Sequence, residues 1–334
     1  LPMVSGAILV TLPMSGAVTQ IYSGVKEIGI IDILFDSGIA NEMFPLLLFI
    51  GIGAMIDFGP LLSNPKLMLF GAAAQFGIFF TLSMAALFGF DLKDAASVAI
   101  IGAADGPTSI FVANYLKSNY IGAIIVAAYS YMALVPIVQP PVIRLITTKH
   151  ERGIKMAYVQ KEVKKSVRIL FPIAITIVTG IVSPRSVALI GFLMFGNLIR
   201  ECGVLNSLSE SAQNNLANLV TLLLGITVAS KMRADAFLTG QTLLILGLGL
   251  VAFVFDTVGG VLLAKFINLF TKNKINPMIG AAGISAFPMS ARVVHKMGLA
   301  EDKTNYLLMH AIGVNVSGQI ASVIAGGLLL NMLG

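Results

Sequence analysis

Residues 67–90 contain no Asp, Glu, Lys or Arg, and neither do residues 305–334. A hydrocarbon layer about 30 Å thick takes roughly 20 residues of helix to cross, and these runs have that length. Composition decides between a membrane span and a buried core helix. The 334 residues are 57% hydrophobic and 11% charged, with a mean hydropathy of +0.90, whereas soluble domains are about a quarter charged. A membrane β-barrel would alternate apolar and polar residues in segments of roughly ten, and the runs here are continuous. The chain reads as an all-α polytopic membrane protein.

Its net charge of +6 is uneven. Between residues 144 and 168 lie Arg144, Lys149, Arg152, Lys155, Lys161, Lys164, Lys165 and Arg168 against Glu151 and Glu162. By the positive-inside rule this basic loop is cytoplasmic. It sets topology, and it is also a candidate dock for an acidic cytoplasmic partner. The single cysteine, Cys202, allows no intrachain disulfide and reads as a small buried hydrophobe. The sequence starts at Leu1 with no signal-peptide pattern, and a further N-terminal segment is expected before it.

The hydrophobic runs divide the chain into an apolar segment and connector over 1–38, a first repeat over 39–143, the basic loop 144–168, linking spans and a connector over 169–215, and a second repeat over 216–334. Spans are expected near 39–56, 67–90, 120–138, 169–183, 186–199, 216–229, 242–268 and 305–333. Segments 94–117 and 277–298 are interrupted by glycine and proline. The halves echo each other: GIGAMIDFGPLL from Gly51 matches GITVASKMRADAFL from Gly225, and GAADGPTS from Gly102 matches GISAFPMS from Gly283. Two repeats with interrupted or re-entrant helices are the pattern of a transporter that binds its cargo between paired breaks. If each break is re-entrant, each repeat crosses three times and the second runs inverted. A fully spanning broken helix is the other reading.

At the first break Asp105 precedes Gly106 and Pro107. A carboxylate inside a membrane segment costs about 2.5–3.5 kcal/mol on insertion scales and is a functional candidate by default. The bland reading is a helix cap or a hydrogen-bonded buried carboxylate. The second break offers Asn276, Gly280, Gly283, Ser285, Pro288, Ser290 and Arg292. Asn and Ser oxygens suit a hard monovalent cation, and Arg292 can grip a carboxylate bidentately. Close helix packing explains the glycines equally, and snorkelling explains the arginine. Asn315, Tyr131, Asp256 and His310 are further polar groups at membrane depth, each readable as a satisfied core residue. There is no P-loop and no A-M-K-M biotin attachment site, so a prosthetic group would have to come from another chain.

Seven stretches, DFGPLLSNPK (57–66), GAAAQFGIF (71–79), GAADGPTSIF (102–111), AAYSYMALVPIVQPP (127–141), FGNLIRECGV (195–204), KNKINPMIGAAGISAFPMSARV (272–293) and LLMHAIGVNVSGQI (307–320), resemble the membrane β subunit of the sodium-pumping biotin-dependent decarboxylases. Those enzymes act on oxaloacetate, methylmalonyl-CoA or glutaconyl-CoA. The resemblance implies a carboxybiotin decarboxylase that exports Na+ and consumes a proton. It implies a sodium site at Asp105, Asn276 and Asn315, with Gly280 and Ser285 as motif positions of the second break. Ser285 and Tyr131 would take part in a second ion or proton transfer, and Arg292 would hold the carboxylate of carboxybiotin. The implied partners are a separate biotin carrier protein, a carboxyltransferase α subunit, a small membrane γ/δ subunit and two further copies in a homotrimer, in the bacterial inner membrane among lipid and without nucleic acid. An elevator-like movement of one bundle is expected.

The family's first helix, upstream of the LP motif, is expected to be absent or truncated in the sequence given, and Asp256 stands where an uncharged residue is expected in the oxaloacetate-type enzymes. The chain's short connector over 20–40 resembles the acyl-CoA-type members. The alternative is a secondary transporter coupling Na+ or H+ to a carboxylate solute. A passive channel is disfavoured by the buried Asp and by the lack of a repeated pore-lining motif.

Overall fold

Apolar helices longer than about 20 residues need no partner for their backbone in hydrocarbon, because every hydrogen bond is internal. The computed structural model, which describes residues 2–12, 16–22, 25–157, 162–228 and 239–334, has five helices long and apolar enough to cross a membrane. They are Pro65–Leu87, Ile121–Ile146, Lys165–Val182, Gly240–Phe270 and Leu308–Leu333. A sixth crossing is available if Ile30–Ala40 and Met43–Met55, bent by 60°, count as one. The protein is therefore a multi-pass helical membrane protein. Lys161 of the basic loop and residues 229–238, which hold much of the second GITVASKMRADAFL match, lie outside the described residues.

Around these spans pack the shorter helices Pro2–Thr11, Val187–Cys202 and Ala217–Val228. The connector after residue 18 departs from the all-α expectation. Gln20–Tyr22 and Val25–Glu27 form an antiparallel hairpin in the register Gln20↔Glu27, Ile21↔Lys26, Tyr22↔Val25. Polar and β-branched residues alternate there, and no helix-period stripe competes.

Two spans differ from their sequence outlines. The charge-free run 67–90 is not one straight helix: it divides at Gln75 into Met68–Ala74 and Phe76–Leu87. The Gln75 side-chain amide turns back to the Gly71 carbonyl at 2.9 Å, and the amide of Ile78, just past the division, is shared between the Gln75 carbonyl at 3.1 Å and Asp256 Oδ1 at 3.2 Å. The span expected over 120–138 instead continues to Ile146 through Pro136, Pro140 and Pro141. Proline frees carbonyls one turn earlier, and membrane helices tolerate this where neighbours cover the freed groups.

Gly240–Phe270 is the spine of the molecule. It packs against Ile121–Ile146, both parts of the span Pro65–Leu87, and the inner ends of both interrupted segments. The closest approach is between Gly260 and Gly280, where a Cβ on either residue would run into the other's carbonyl oxygen. Only hydrogen fits there. Gly260→Val is expected to lower stability by about 1–3 kcal/mol, read as a lower thermal midpoint in detergent. Gly247→Val, whose Cβ meets nothing within 4 Å, is expected to leave the midpoint unchanged.

Candidate functional site

The first interrupted segment starts at Leu92–Ala99, whose first turn is capped by Asp91 accepting from the Lys93 amide at 3.1 Å. It tightens into a 3-10 turn, Ile100–Ala103, and reverses at Ala104, which holds a left-handed conformation (φ 52°, ψ 41°). A non-glycine residue there stores strain of order 1–3 kcal/mol. Asp105 then leaves the turn with extended backbone and caps the helix Gly106–Tyr115, with Pro107 in its first turn. The two ends of the segment meet: Ser118 Oγ donates to Asp94 Oδ1 at 2.6 Å, and Asn119 donates from its backbone and its side chain to the same carboxylate. The segment enters and leaves on one side.

The second segment repeats this plan from the other side. Met278–Ala281 leads into an irregular stretch, and Met289–Glu301 leads out. Both roots meet Arg152. Asn276 Nδ2 donates to its carbonyl at 2.8 Å, and its guanidinium pairs with Glu301 at 2.5 Å. Asp94 and Arg152 lie at opposite ends of Ile121–Ile146, a helix about 39 Å long. The two irregular stretches meet in the interior, where the Ser285 amide donates to the Ala103 carbonyl at 3.0 Å.

Asp105 is 3% exposed and has four donors. Its Oδ2 accepts from Thr108 Oγ1 at 2.7 Å, Gln319 Nε2 at 2.8 Å and Ser322 Oγ at 3.2 Å, and its Oδ1 accepts from the Thr108 amide at 3.3 Å. The cap reading and the ion reading of this residue therefore share one geometry. The carboxylate caps its own helix, and helix Leu308–Leu333 supplies two further donors. The longest of these bonds is the one to Oδ1, the oxygen with the most acceptor capacity to spare.

Ser285 and Asn315 lie at the same junction. Ser285 Oγ donates to the Gly318 carbonyl at 3.0 Å, and Asn315 Nδ2 donates to the Ile284 carbonyl at 2.7 Å. Asn315 Oδ1 is buried without a partner, a neutral oxygen available beside the second break. Gly280 is in the short helix of that break, pressed on Gly260. Asn276 is not among the contacts of Asp105; it is bound at the root of the second segment to the carbonyls of Arg152 and Ile154. Arg292 is exposed and forms no ion pair among the described residues. The Tyr131 hydroxyl donates to the Leu246 carbonyl, away from Asp105. His310 is hydrogen-bonded to the Met156 backbone.

Four residues at this site were not singled out from the sequence. Thr108, Gln319 and Ser322 hold the Asp105 carboxylate, and Tyr129 closes over it. A Cβ on Gly106 would come within 2.6 Å of the Tyr129 ring, and the Tyr129 hydroxyl is buried without a partner. The spacing of Asn315, Gln319 and Ser322, four and then three residues, places all three on one helical face. That was the signal available.

At the Arg152 end, a capping box closes the turn Lys149–Arg152: Thr148 and Glu151 bond reciprocally. Lys265 of the spine pairs with Glu151 at 3.1 Å, and Lys155 with Asp302 at 2.8 Å. Partial burial pushes the Glu151 carboxyl up, but bonds from Thr148 and Lys265 outweigh it and hold the group below the ordinary range.

A model of the family described as Na+-transporting oxaloacetate decarboxylase beta subunit matches residues 1–333. The methylmalonyl-CoA decarboxylase subunit beta of Propionigenium modestum is 53% identical over 293 residues, covering 87% of this chain and 74% of that protein. The oxaloacetate decarboxylase beta chain of Klebsiella pneumoniae is 49% identical over 308 residues, 90% of this chain and 71% of that one. The glutaconyl-CoA decarboxylase subunit beta of Acidaminococcus fermentans is 48% identical over 333 residues, 100% of this chain and 86% of that protein.

A depressed carboxyl contributes stability that is complete above its unfolded value and is lost as pH falls through the folded one. For Glu151 the loss therefore begins below the ordinary glutamate value of 4.5. The protection factor of the amides across the turn Lys149–Arg152, which is the intrinsic exchange rate at each pH divided by the observed one, is expected to fall as the pH drops below 4.5. Glu151→Gln is expected to exchange faster than wild type at neutral pH and to show a flatter acid dependence.

Proposed function

The chain belongs to the family of Na+-transporting oxaloacetate decarboxylase beta subunits, and from that membership and the junction of the two breaks we propose that Asp105 holds the Na+ that is carried. The protein is the membrane-embedded beta subunit of a Na+-transporting decarboxylase. Relatives named for three different acids match at similar identity, so similarity does not select among oxaloacetate, methylmalonyl-CoA and glutaconyl-CoA.

The observation that carries the ion reading is the buried Asp105 carboxylate beside the Ser285–Ala103 contact. One carboxylate surrounded by neutral oxygens nearly cancels the charge of one Na+, which lowers the cost of holding the ion in an apolar barrier. Asp105 supplies the charge. Asn315 Oδ1, without a partner, and the Ser285 hydroxyl are the neutral oxygens nearest the junction. Asn276 and Gly280 belong to the root and the short helix of the second segment, and they join the site if that segment shifts along the spine.

Carboxybiotin, brought by a separate biotin carrier protein, supplies the free energy through loss of its CO2. Moving one charge against about 100 mV costs about 2.3 kcal/mol, so a driver beyond binding is required. Arg292, exposed and free of ion pairs among the described residues, fits a role in holding that carboxylate. Ser285 and Tyr131 are proposed to move the consumed proton; Tyr129, whose hydroxyl is buried beside Asp105, joins them.

The order of elements supports an inverted repeat. Met43–Met55, Pro65–Leu87, the first break and Ile121–Ile146 correspond to Ala217–Val228, Gly240–Phe270, the second break and Leu308–Leu333. Ile121–Ile146 packs on Gly240–Phe270 as Leu308–Leu333 packs on Met68–Ala74. An elevator-like shift of the two breaks, together with the last helix that is bonded to both, against the remaining helices would carry the ion across. Partners proposed with it are the carboxyltransferase α subunit, a small membrane γ/δ subunit and further copies of this chain, in the bacterial inner membrane.

Two variants and one inhibitor test this reading in inverted vesicles. Asp105→Asn is expected to abolish Na+ activation of decarboxylation. Gln319→Leu, which removes one donor to a charged acceptor, is expected to shift the half-activating Na+ concentration about tenfold, in line with about 1.5–3 kcal/mol for such a bond. Avidin is expected to stop Na+ uptake; uptake that survives it would instead favour a secondary transporter of a carboxylate solute.

A further inference from the structure

Asp256 is a second carboxyl inside the membrane, and the Na+ site does not use it. It lies in the middle of Gly240–Phe270 and is fully buried. Its two oxygens have different surroundings. Oδ1 accepts the Ile78 amide at 3.2 Å, at the division of the span Pro65–Leu87. Oδ2 is sealed from solvent and has no hydrogen-bond partner among the described residues. Oδ2 faces Gly102 in the 3-10 turn of the first break, where a Cβ would come within 3.0 Å of it. One side chain thus touches both the kink of a span and the turn that ends in Asp105.

An ionised carboxylate so placed would have one oxygen uncompensated, which an apolar interior penalises by several kcal/mol. A metal ion would need several oxygens around it. The same Cβ on Gly102 would also meet Ala252, so alkyl and backbone groups wall this side. A proton needs neither space nor further ligands. Charged and titratable groups on the elements packed against the spine are Lys66, Lys93, Asp94, Tyr129, Tyr131 and Arg144, and none is bonded to Asp256. Asp94 is bound by Ser118 and Asn119, and Tyr131 by Leu246. Lys265, on the spine itself, is paired with Glu151 about 13 Å along the helix from Asp256. The turns Ile100–Ala103 and Met278–Ala281 carry no titratable side chain.

We propose that Asp256 is a proton-binding site, with the proton on Oδ2, whose occupancy is linked to that of Na+ at Asp105. Binding forms one O–H bond at Oδ2 as an O–H bond of a hydronium ion breaks, and release reverses this; because Oδ2 is sealed by the Gly102 contact, exchange with water requires that contact to open. Asp256 faces one end of the short segment 102–105, and Asp105 is its other end. Na+ at Asp105 cancels negative charge there and lets Asp256 release its proton. A proton on Asp256, in turn, weakens the local attraction for Na+. By linkage each cation lowers the affinity for the other by the same factor. The linkage rests on the assignment of Na+ to Asp105; the proton on Asp256 does not.

The test uses the intact complex in detergent, weakly buffered, with NaCl added against choline chloride. A pH-indicating dye follows proton release, infrared difference spectra follow protonated carboxyl groups, and bound radioactive Na+ is counted so that both signals are expressed per loaded site. Wild type is expected to release protons and to lose a protonated-carboxyl band on loading. Asp256→Asn keeps the acceptor for the Ile78 amide and the side-chain volume, and is expected to bring both signals to baseline. Asp256→Ser is read in the same way if the Asn variant does not assemble. No release in wild type, or wild-type signals in the variants, overturns the proposal. If Asp105→Asn abolishes Na+ activation while the Asp256 variants keep both signals, the ion site stands and the proton site falls. If Na+ activation survives Asp105→Asn but the carboxyl band is missing from the Asp256 variants, the proton site stands and the ion site falls.

Discussion

A broken helix in hydrocarbon strands amides and carbonyls that no water can reach, each at a cost of several kcal/mol. Here each break relieves the other. The Ser285 amide takes the Ala103 carbonyl, and the last helix serves both sides: Asn315 takes the Ile284 carbonyl, Ser285 takes the Gly318 carbonyl, and Gln319 with Ser322 takes the Asp105 carboxylate. Neither irregular stretch would be stable alone. The small residues around them follow from this, because backbone can pair with backbone only where no side chain intervenes, as at Gly318 against Gly283.

The breaks themselves were legible in the sequence. Glycine and proline next to a carboxylate, inside an apolar run, oppose a continuous helix there, and the apolar runs placed the long spans without fixing their ends. What the sequence hid was rotation and distance. Tyr129 and Tyr131 are two residues apart and so point about 200° apart around their helix. With apolar residues on most sides, no stripe indicated which tyrosine faces Asp105, and the structure turns Tyr129 to it. The division at Gln75 was hidden for another reason: Asp256, which shares the Ile78 amide just past it, is 178 residues away. Distance was hidden for Asn276 as well: it is engaged at the Arg152 root while Asn315 is at the junction, and no spacing in the sequence separates the two positions.

The two breaks are unequal in charge, and this bears on how a load could move. The first contains Asp105; the second contains no acidic residue between Asn276 and Ala300 and carries Arg292. An ionised Asp105 can be shielded by its four donors as the protein stands, but those donors come from its own helix and from Leu308–Leu333. If the first break moved without that helix, the carboxylate would lose Gln319 and Ser322 together, and a charge with half its partners removed costs more than the pair was worth. Leu308–Leu333 is also bonded to the second break through Asn315 and Gly318. A unit that moved at low cost would therefore include both breaks and the last helix. Such a unit is still tied to other helices, by Gln139 to Ala281 and Ser290 and by Ser317 to Leu67, so sliding along the Gly260–Gly280 crossing would require those bonds to exchange. Bonds through Asn315, Gly318, Gln319 and Ser322 would hold the two breaks and the last helix together in any such movement, and the Gly260–Gly280 contact, made without side chains, is where it would meet least steric resistance.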